Sequence, residues 1–253
     1  MAILDLRPDI WHRALGIPRG REPVALILEG TWWRDRATRT RLARLADVQE
    51  TAFPDIFTGN WHGLSVAYCC AYGAARAVEP AHVFAQMGTP ILIQIGTCGA
   101  MDGDLETGTV IVPDVAVGRD GVSQHYCSAA TIALDALYSA RARTLLTERG
   151  IAVAGGVHLT WPSLFAQTDE NCIAWATEGF RTVDMETAAV AAVAHHFGVR
   201  AVALLTVWDA LSAGKTFLDP LTPAQTQALA KADAQIFEVA LDLAREVGLC
   251  CAA

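Results

Sequence analysis

The sequence lacks the excess of basic residues that attracts nucleic acids and anionic membranes. Its 253 residues include 19 Lys and Arg against 27 Asp and Glu, which gives a formal net charge of −8 at pH 7. Phosphate backbones and anionic lipid surfaces are attracted by a field of the opposite sign. The composition therefore disfavours broad nucleic-acid and membrane binding, and it favours small-molecule partners.

Long apolar runs are also missing. No uninterrupted apolar stretch approaches the length of about 20 residues that a membrane-spanning helix needs. Asp5, Arg7 and Asp9 precede any apolar run that could serve as a signal peptide. Because 53% of the residues are hydrophobic and only 18% are charged, the chain is unlike disordered proteins. We expect one globular domain over residues 1–253, located in the cytoplasm.

Signatures of metal and cofactor sites are absent from the sequence. The seven cysteines are odd in number and include no C-x-x-C pair of the kind that binds zinc or carries out dithiol chemistry. His195 and His196 are adjacent, so they do not form the i, i+4 pair typical of a metal site. The chain also lacks G-x-G-x-x-G, G-x-S-x-G and H-E-x-x-H motifs. We expect reduced, mostly buried thiols, no metal and no cofactor.

Short apolar runs alternate with amphipathic or alanine-rich segments along the chain. This alternation is typical of an α/β protein with a largely parallel or mixed sheet. A hairpin is predicted around residues 60–63. Strands are predicted at residues 24–28, 91–95, 109–117, 151–157, 182–185 and 201–207, and helices at residues 32–46, 74–87, 170–178, 186–197 and 223–247.

Four predicted strand ends carry polar residues, and ligands of open α/β sheets bind outside such ends. These ends are residues 30–34, 96–99, 184–186 and 208–209. The sequence Gly-Thr-Cys-Gly at 96–99 is compatible with two interpretations. It could offer backbone N–H groups and the Thr97 hydroxyl to an anion, or it could be an ordinary strand-to-helix turn.

Carboxylates occupy two of these strand ends. Asp184 and Glu186 stand on one side of an extended strand end, where a carboxylate can accept two hydrogen bonds from sugar hydroxyls. Glu186 could instead be only a favourable charge in the first turn of the next helix. Asp209 follows an apolar strand and is either a helix N-cap or a general acid whose pKa burial raises.

Five motifs occur along the chain in an order that is typical of one enzyme superfamily. They are Gly30-x-x-x-Arg34 and residues 95–100 (IGTCGA), 108–114 (GTVIVPD), 183–189 (VDMETAA) and 206–209 (TVWD). Together they resemble the purine nucleoside and uridine phosphorylase superfamily, with coverage from about residue 12 to residue 210. Residues 120–125 (DGVSQH) resemble the uridine phosphorylase branch. The resemblance implies a three-layer αβα sandwich with a central mixed β-sheet, assembled as homodimers or as hexamers that are trimers of dimers.

The resemblance also implies an activity and a set of site residues. The activity is cleavage of the N-glycosidic bond of a nucleoside, with phosphate as co-substrate, to a free base and a pentose 1-phosphate. Asp209 would protonate N7 of a purine leaving group, and Glu186 would bind the ribose hydroxyls. The resemblance further implies substrate contacts by Met185, Asp184, Phe165, Trp208 and His12, the last reaching into a neighbouring subunit, and phosphate contacts by Gly30, Arg34, Thr97 and Gln94.

The sequence departs from the superfamily where phosphate should bind. Gln94 stands where phosphorylases carry an arginine, and residues 51–55 contain no counterpart of a second arginine that is donated across the dimer. Glutamine cannot replace a guanidinium charge beside a phosphate dianion. The arginines that could compensate are Arg76, Arg36, Arg39 and Arg41.

These departures leave two other functions open. One is hydrolysis, in which water replaces phosphate and Glu29 activates it. The other is binding of a nucleoside without catalysis. The residues by which uridine phosphorylases read uracil are not matched after Phe165, so uracil is not favoured, and Asp209 favours a purine-like leaving group.

Overall fold

The structure, a computed structural model, describes residues 7–252 as a mixed β-sheet with helices on both faces. The helices of this part of the chain are α1 (Pro8–Leu15), α2 (Arg34–Leu42), α3 (Ala74–Met87), α4 (Ala136–Glu148), α5 (Asp169–Thr177), α6 (Thr187–Phe197) and α7 (Pro223–Ala252). Its strands are β1 (Ala25–Gly30), β2 (Ala46–Glu50), β3 (Ile56–Trp61), β4 (Leu64–Cys70), β5 (Ile91–Ala100), β6 (Val110–Ile111), β7 (Val115–Gly118), β8 (Ile132–Ala133), β9 (Val153–Ala154), β10 (Val157–Thr160), β11 (Thr182–Asp184) and β12 (Arg200–Ala210).

Two hydrophobic cores lie on opposite faces of the sheet. Leu26 and Leu28 of β1 pack in the core that contains α1, α3 and α6. Ala25 and Ile27 of the same strand pack in the core that contains α4 and α7. Successive side chains of a strand point to opposite faces, so an unbroken apolar strand needs a helical layer on each side. The predicted three-layer αβα sandwich is confirmed.

The centre of the sheet brings several strand ends to one edge. β1 runs parallel to both β4 and β5, and β5 runs parallel to β12. The short β11 pairs with the end of β5 in the antiparallel sense. The sheet order is β2-β3-β4-β1-β5-β11-β10-β7-β8, and β12 pairs with β5 and with β6. The carboxyl ends of β1, β4, β5 and β12 therefore lie together, where a ligand site is expected.

The structure corrects the sequence-based assignment in three places. Residues 96–99 form neither a turn nor the start of a helix, because β5 continues to Ala100 and pairs with β12 along this stretch. The single strands predicted at 109–117 and 151–157 are each two short strands. α1, β2 and α4 are additional elements that the periodicity did not predict.

The described cysteines are free thiols. Cys69, Cys70, Cys98 and Cys127 are buried, Cys172 is partly buried and Cys250 is exposed. No helix within residues 7–252 is long and apolar enough to cross a membrane.

A close backbone approach joins β1 to β5 at the edge where the strands end. Gly30 pairs with Gly96, and a Cβ atom added to Gly96 would lie 2.7 Å from the carbonyl oxygen of Gly30. A Cβ atom added to Gly30 would lie 2.5 Å from Oε2 of Glu186. At Gly96 the close atom belongs to the backbone, so only glycine fits there; at Gly30 a side chain would have to displace the end of the Glu186 side chain.

The substitution Gly96→Ala tests this constraint. We expect it to lower the free energy of unfolding by about 2 kcal/mol, because the new methyl group meets backbone that cannot move away cheaply. Urea unfolding of the two proteins measures the difference. Gly103→Ala is the matched control, since nothing lies within 4 Å of a Cβ atom there. Equal stability of Gly96→Ala and the unsubstituted protein would contradict the prediction.

Candidate active site

A cavity of about 100 Å³ opens at the carboxyl ends of the central strands. Its wall combines segments that are distant in the sequence: the β1–α2 loop, the residues after β4, the end of β5, the start of α6 and the end of β12. Residues that line it include Gly30, Tyr72, Thr97, Met185, Glu186 and Asp209. The fold thus brings together most of the strand ends that the sequence singled out.

Glu186 contributes a buried carboxyl group to this cavity. The residue occupies the N-cap position of α6, but its side chain does not cap the helix. Its Oε1 accepts a hydrogen bond from the backbone N–H of Gly73, and its Oε2 lies against Gly30. Burial and the nearby charge of Asp184 raise the pKa of Glu186 to about 8. The Glu186 carboxyl group therefore lines the cavity and does not cap the helix.

Asp184 borders the same cavity, but its carboxylate is occupied within the protein. Oδ1 accepts a hydrogen bond of 2.8 Å from the Thr160 hydroxyl, and Nε2 of His158 lies 2.9 Å away. Oδ2 accepts hydrogen bonds from the backbone N–H and the hydroxyl of Thr187. Burial alone would raise the pKa of Asp184, but His158 and these hydrogen bonds hold it below its ordinary value. Asp184 therefore fixes the start of α6, and its carboxylate oxygens are bound to protein groups.

Asp209 reaches the cavity through an irregularity in β12. Val207 pairs with Cys98 and Asp209 with Gly99, so Trp208 is an extra residue that forms a β-bulge. A bulge redirects the side chains around it, and here both Trp208 and Asp209 line the cavity. Asp209 is buried, and its Oδ1 has no hydrogen-bond partner among the residues that the structure describes. Burial, followed by the charge of Asp219, raises the pKa of Asp209 to about 7.

Only two of the four predicted phosphate ligands line the cavity. Gly30 and Thr97 line the cavity, and Thr97 is exposed to solvent. Gln94 is buried behind Gly30, where its Nε2 donates a hydrogen bond to the Ile95 carbonyl and its Oε1 has no partner. Arg34 is exposed at the first position of α2 and does not line the cavity. No cationic side chain is among the residues that line it.

The remaining predicted substrate contacts differ in their placement. Met185 and Trp208 line the cavity. Phe165 does not; it is 78% exposed, and its ring meets the cavity-lining Trp32 edge to face at 6.0 Å. His12 does not line the cavity either, and its Nδ1 lies 3.0 Å from the Ile17 carbonyl oxygen. The expected reach of His12 into a neighbouring subunit stays a prediction.

Glu29, the residue that hydrolysis would need as a base, is held in a buried ion pair. Nε and Nη2 of Arg41 each donate a hydrogen bond of 3.0 Å to one of its carboxylate oxygens. The Tyr68 hydroxyl donates a further hydrogen bond of 2.7 Å to Oε2. Both Glu29 and Arg41 are buried. Three of the roughly four lone-pair positions of this carboxylate are therefore engaged, and the charge of Arg41 makes it a weaker base.

Sequence reasoning missed the aromatic part of the cavity wall. The cavity-lining residues not predicted from the sequence include Trp32, Trp33, Tyr72 and Phe217. Tyr72 was detectable, since it follows β4, whose carboxyl end lies beside that of β1. The pair Trp32-Trp33 directly after Gly30 was a second available signal. Within the described residues, no three His, Cys, Asp or Glu side chains cluster as metal ligands would.

Comparison with known proteins agrees with this geometry. The chain is 28% identical over 182 residues to guanosine phosphorylase from Halorubrum lacusprofundi, which covers 69% of this chain and 75% of that protein. It is 28% identical over 165 residues to the DeoD-type purine nucleoside phosphorylase of Alkaliphilus metalliredigens, with coverage of 62% and 70%. The crystal structure of uridine phosphorylase from Vibrio fischeri shares the fold, with a TM-score of 0.77, 20% identity and coverage of 91% and 95%.

The sequence profile of the Phosphorylase superfamily matches residues 37–249. This match covers most of the chain, includes three of the four polar strand ends, and agrees with the resemblance found from the motifs. The chain belongs to the Phosphorylase superfamily, and the relatives that it matches are nucleoside phosphorylases.

Proposed function

We propose that this protein cleaves the N-glycosidic bond of a purine nucleoside and transfers the pentose to phosphate. The observation that carries the proposal is the pair of buried carboxyl groups, Glu186 and Asp209, on one cavity. Burial raises the pKa of both groups, so each can exchange hydrogen bonds and protons with a ligand near neutral pH.

The reaction assigns a distinct task to each group. The bond between C1′ and N9 breaks, and its electron pair passes to the purine ring. Protonated Asp209 donates its proton to N7 of that ring and later regains one from solvent. A phosphate oxygen forms the new bond to C1′, which yields the free base and a pentose 1-phosphate. Glu186 in its ionised form, whose population grows as pH approaches its pKa of about 8, accepts hydrogen bonds from the ribose hydroxyls, and these strengthen as positive charge develops on the sugar.

The choice of a purine rests on Asp209 and on the relatives. A purine offers N7 as a protonation site, which an acid with a pKa of about 7 can use. Two of the relatives at 28% identity are named guanosine phosphorylase and purine nucleoside phosphorylase. We further propose that the protein acts in the cytoplasm, needs no cofactor, and works as a homodimer or a trimer of dimers in which His12 reaches a neighbouring site.

Hydrolysis is the second candidate, and one observation favours it. The cavity has no cationic side chain in its lining, although a phosphate dianion binds best to guanidinium groups. One observation disfavours hydrolysis. The carboxylate of Glu29, which would have to activate the water, is hydrogen-bonded to Arg41 and Tyr68. Phosphorolysis therefore remains the better supported reaction.

The first test is base release from a panel of purine and pyrimidine nucleosides, with and without inorganic phosphate. We expect release from purine nucleosides that depends on phosphate and yields a pentose 1-phosphate, separated by chromatography. Release at the same rate without phosphate would establish hydrolysis instead. If no nucleoside is cleaved but one binds, the protein is a nucleoside-binding protein.

Glu186→Gln tests the sugar contact. The neutral amide keeps the shape of the side chain but accepts weaker hydrogen bonds from the ribose, so we expect kcat/KM to fall by about 10²-fold or more. The measurement is the initial rate of purine release. Glu170→Gln, an exposed change at the start of α5, is the matched control and should leave the rate unaltered. A near-normal rate for Glu186→Gln would reject the sugar assignment.

The substitution Asp209→Asn tests the proposed role of Asp209 as the general acid. The carboxyl group must be protonated to act, so the purine cleavage rate should decline as pH rises above about 7, where Asp209 ionises. Asparagine should remove that decline and should slow purine nucleosides more than a nitrophenyl riboside, whose leaving group needs no proton. Asp219→Asn, which removes a neighbouring negative charge, should shift the decline to lower pH. Equal losses on both substrates would argue against the acid.

A further inference from the structure

A buried histidine lies behind the candidate active site and has no part in the proposed reaction. His158 belongs to β10, is fully buried and does not line the cavity. Its Nε2 lies 2.9 Å from Oδ1 of Asp184, and its Nδ1 lies 2.8 Å from the hydroxyl oxygen of Thr182. A carboxylate only accepts hydrogen bonds, so the ring proton that faces Asp184 is carried by Nε2. Both ring nitrogens are therefore directed at polar groups of β11, the strand that leads to Glu186.

The start of α6 is held by side chains other than that of its N-cap residue, Glu186. The backbone N–H of Thr187 donates a hydrogen bond of 2.9 Å to Oδ2 of Asp184, and the N–H of Ala188 donates one of 2.8 Å to the Thr160 hydroxyl oxygen. The first N–H groups of a helix have no partner within the helix and are commonly bound by the N-cap side chain. Because Asp184 and Thr160 bind them here, the Glu186 carboxyl group is free to face the cavity.

His158 compensates the buried carboxylate of Asp184. Burial by itself would raise the pKa of Asp184, but attraction to His158 and the hydrogen bonds to the carboxylate lower it below its ordinary value. The other titratable groups that face Asp184 are Glu186, on the same segment, and Cys98 of β5. Neither can replace the lost partner, because each adds negative charge when it ionises. Without His158, Asp184 would take up a proton or move, and either change weakens its hold on the first N–H group of α6.

We propose that His158 is a positioning residue for recognition of the sugar: it holds the Asp184 carboxylate where that group fixes the start of α6, and so aims Glu186 at the hydroxyls of the pentose. The assignment rests on the proposed function, in which Glu186 accepts hydrogen bonds from those hydroxyls. The Glu186 carboxyl group lies between Gly30 and the backbone N–H of Gly73, so a shift of the helix start reaches it directly. A displacement of about 1 Å at such a group can cost about 10²-fold in rate.

The substitution His158→Leu tests the assignment in the full chain. The substrates are a purine ribonucleoside and the 2′,3′-dideoxyribonucleoside of the same base. We expect the ratio of their kcat/KM values, ribonucleoside over dideoxyribonucleoside, to fall about 10- to 100-fold, because only the ribonucleoside has hydroxyls for Glu186 to bind. His158→Gln, which retains an N–H donor, should recover part of this ratio. A change that only loosened the fold would slow both substrates alike.

The matched control is His82→Leu. His82 is also buried and does not line the cavity, and its ring lies 4.8 Å from that of Phe197 at the opposite end of α6. The control thus removes a buried histidine that contacts the same helix, and it should leave the ratio unaltered. If His158→Leu does not fold, His158→Gln and Thr182→Val, which removes the hydroxyl beside Nδ1, give the same comparison with a smaller fall. An unchanged ratio in the folded variants would overturn the assignment.

Calorimetric titration with the same two nucleosides, without phosphate, separates this assignment from the proposed function. Tighter binding of the ribonucleoside that is lost in His158→Leu supports the assignment, even if no nucleoside is cleaved. Phosphate-dependent cleavage with an unchanged ratio in His158→Leu would overturn the assignment and leave the function intact. Equal or absent binding of the two nucleosides by the unsubstituted protein would overturn the assignment as well, since Glu186 would then hold no sugar hydroxyl.

Discussion

The close approach around Gly30 is the constraint on which the rest of the site depends. The end of β1 passes between the backbone of β5 and the Glu186 carboxyl group, with no room for a side chain at Gly96 and none at Gly30 while Glu186 holds its place. This contact sets the distance between the end of β1 and the start of α6, where Glu186 lies.

The carboxyl groups of the site divide according to their hydrogen-bond partners. Asp184 and Glu29 have their oxygens satisfied by neighbouring side chains, and both serve to fix elements of the fold. Glu186 has one backbone partner, and Asp209 retains an oxygen with none. Burial without full compensation raises the pKa of the latter two groups, and such groups are the ones able to react with a ligand.

The sequence was informative where local pattern decides the structure. The apolar alternation predicted the layers, and the polar strand ends identified Glu186 and Asp209 as neighbours. The sequence was uninformative where contacts between distant segments determine the secondary structure. Residues 96–99, for example, are strand because β12 pairs with them. The ion pair between Glu29 and Arg41 is likewise a tertiary contact that spacing cannot predict.

The bulge at Trp208 has a consequence for how such a site can diverge. Side chains of a strand alternate between its two faces, so one inserted residue decides which of two neighbours meets the ligand. Loss of a single residue there would restore regular pairing with β5 and would turn the Asp209 carboxyl group away from the cavity, with the sheet otherwise preserved. One small genetic step in this architecture can thus decide whether the cavity contains that carboxyl group.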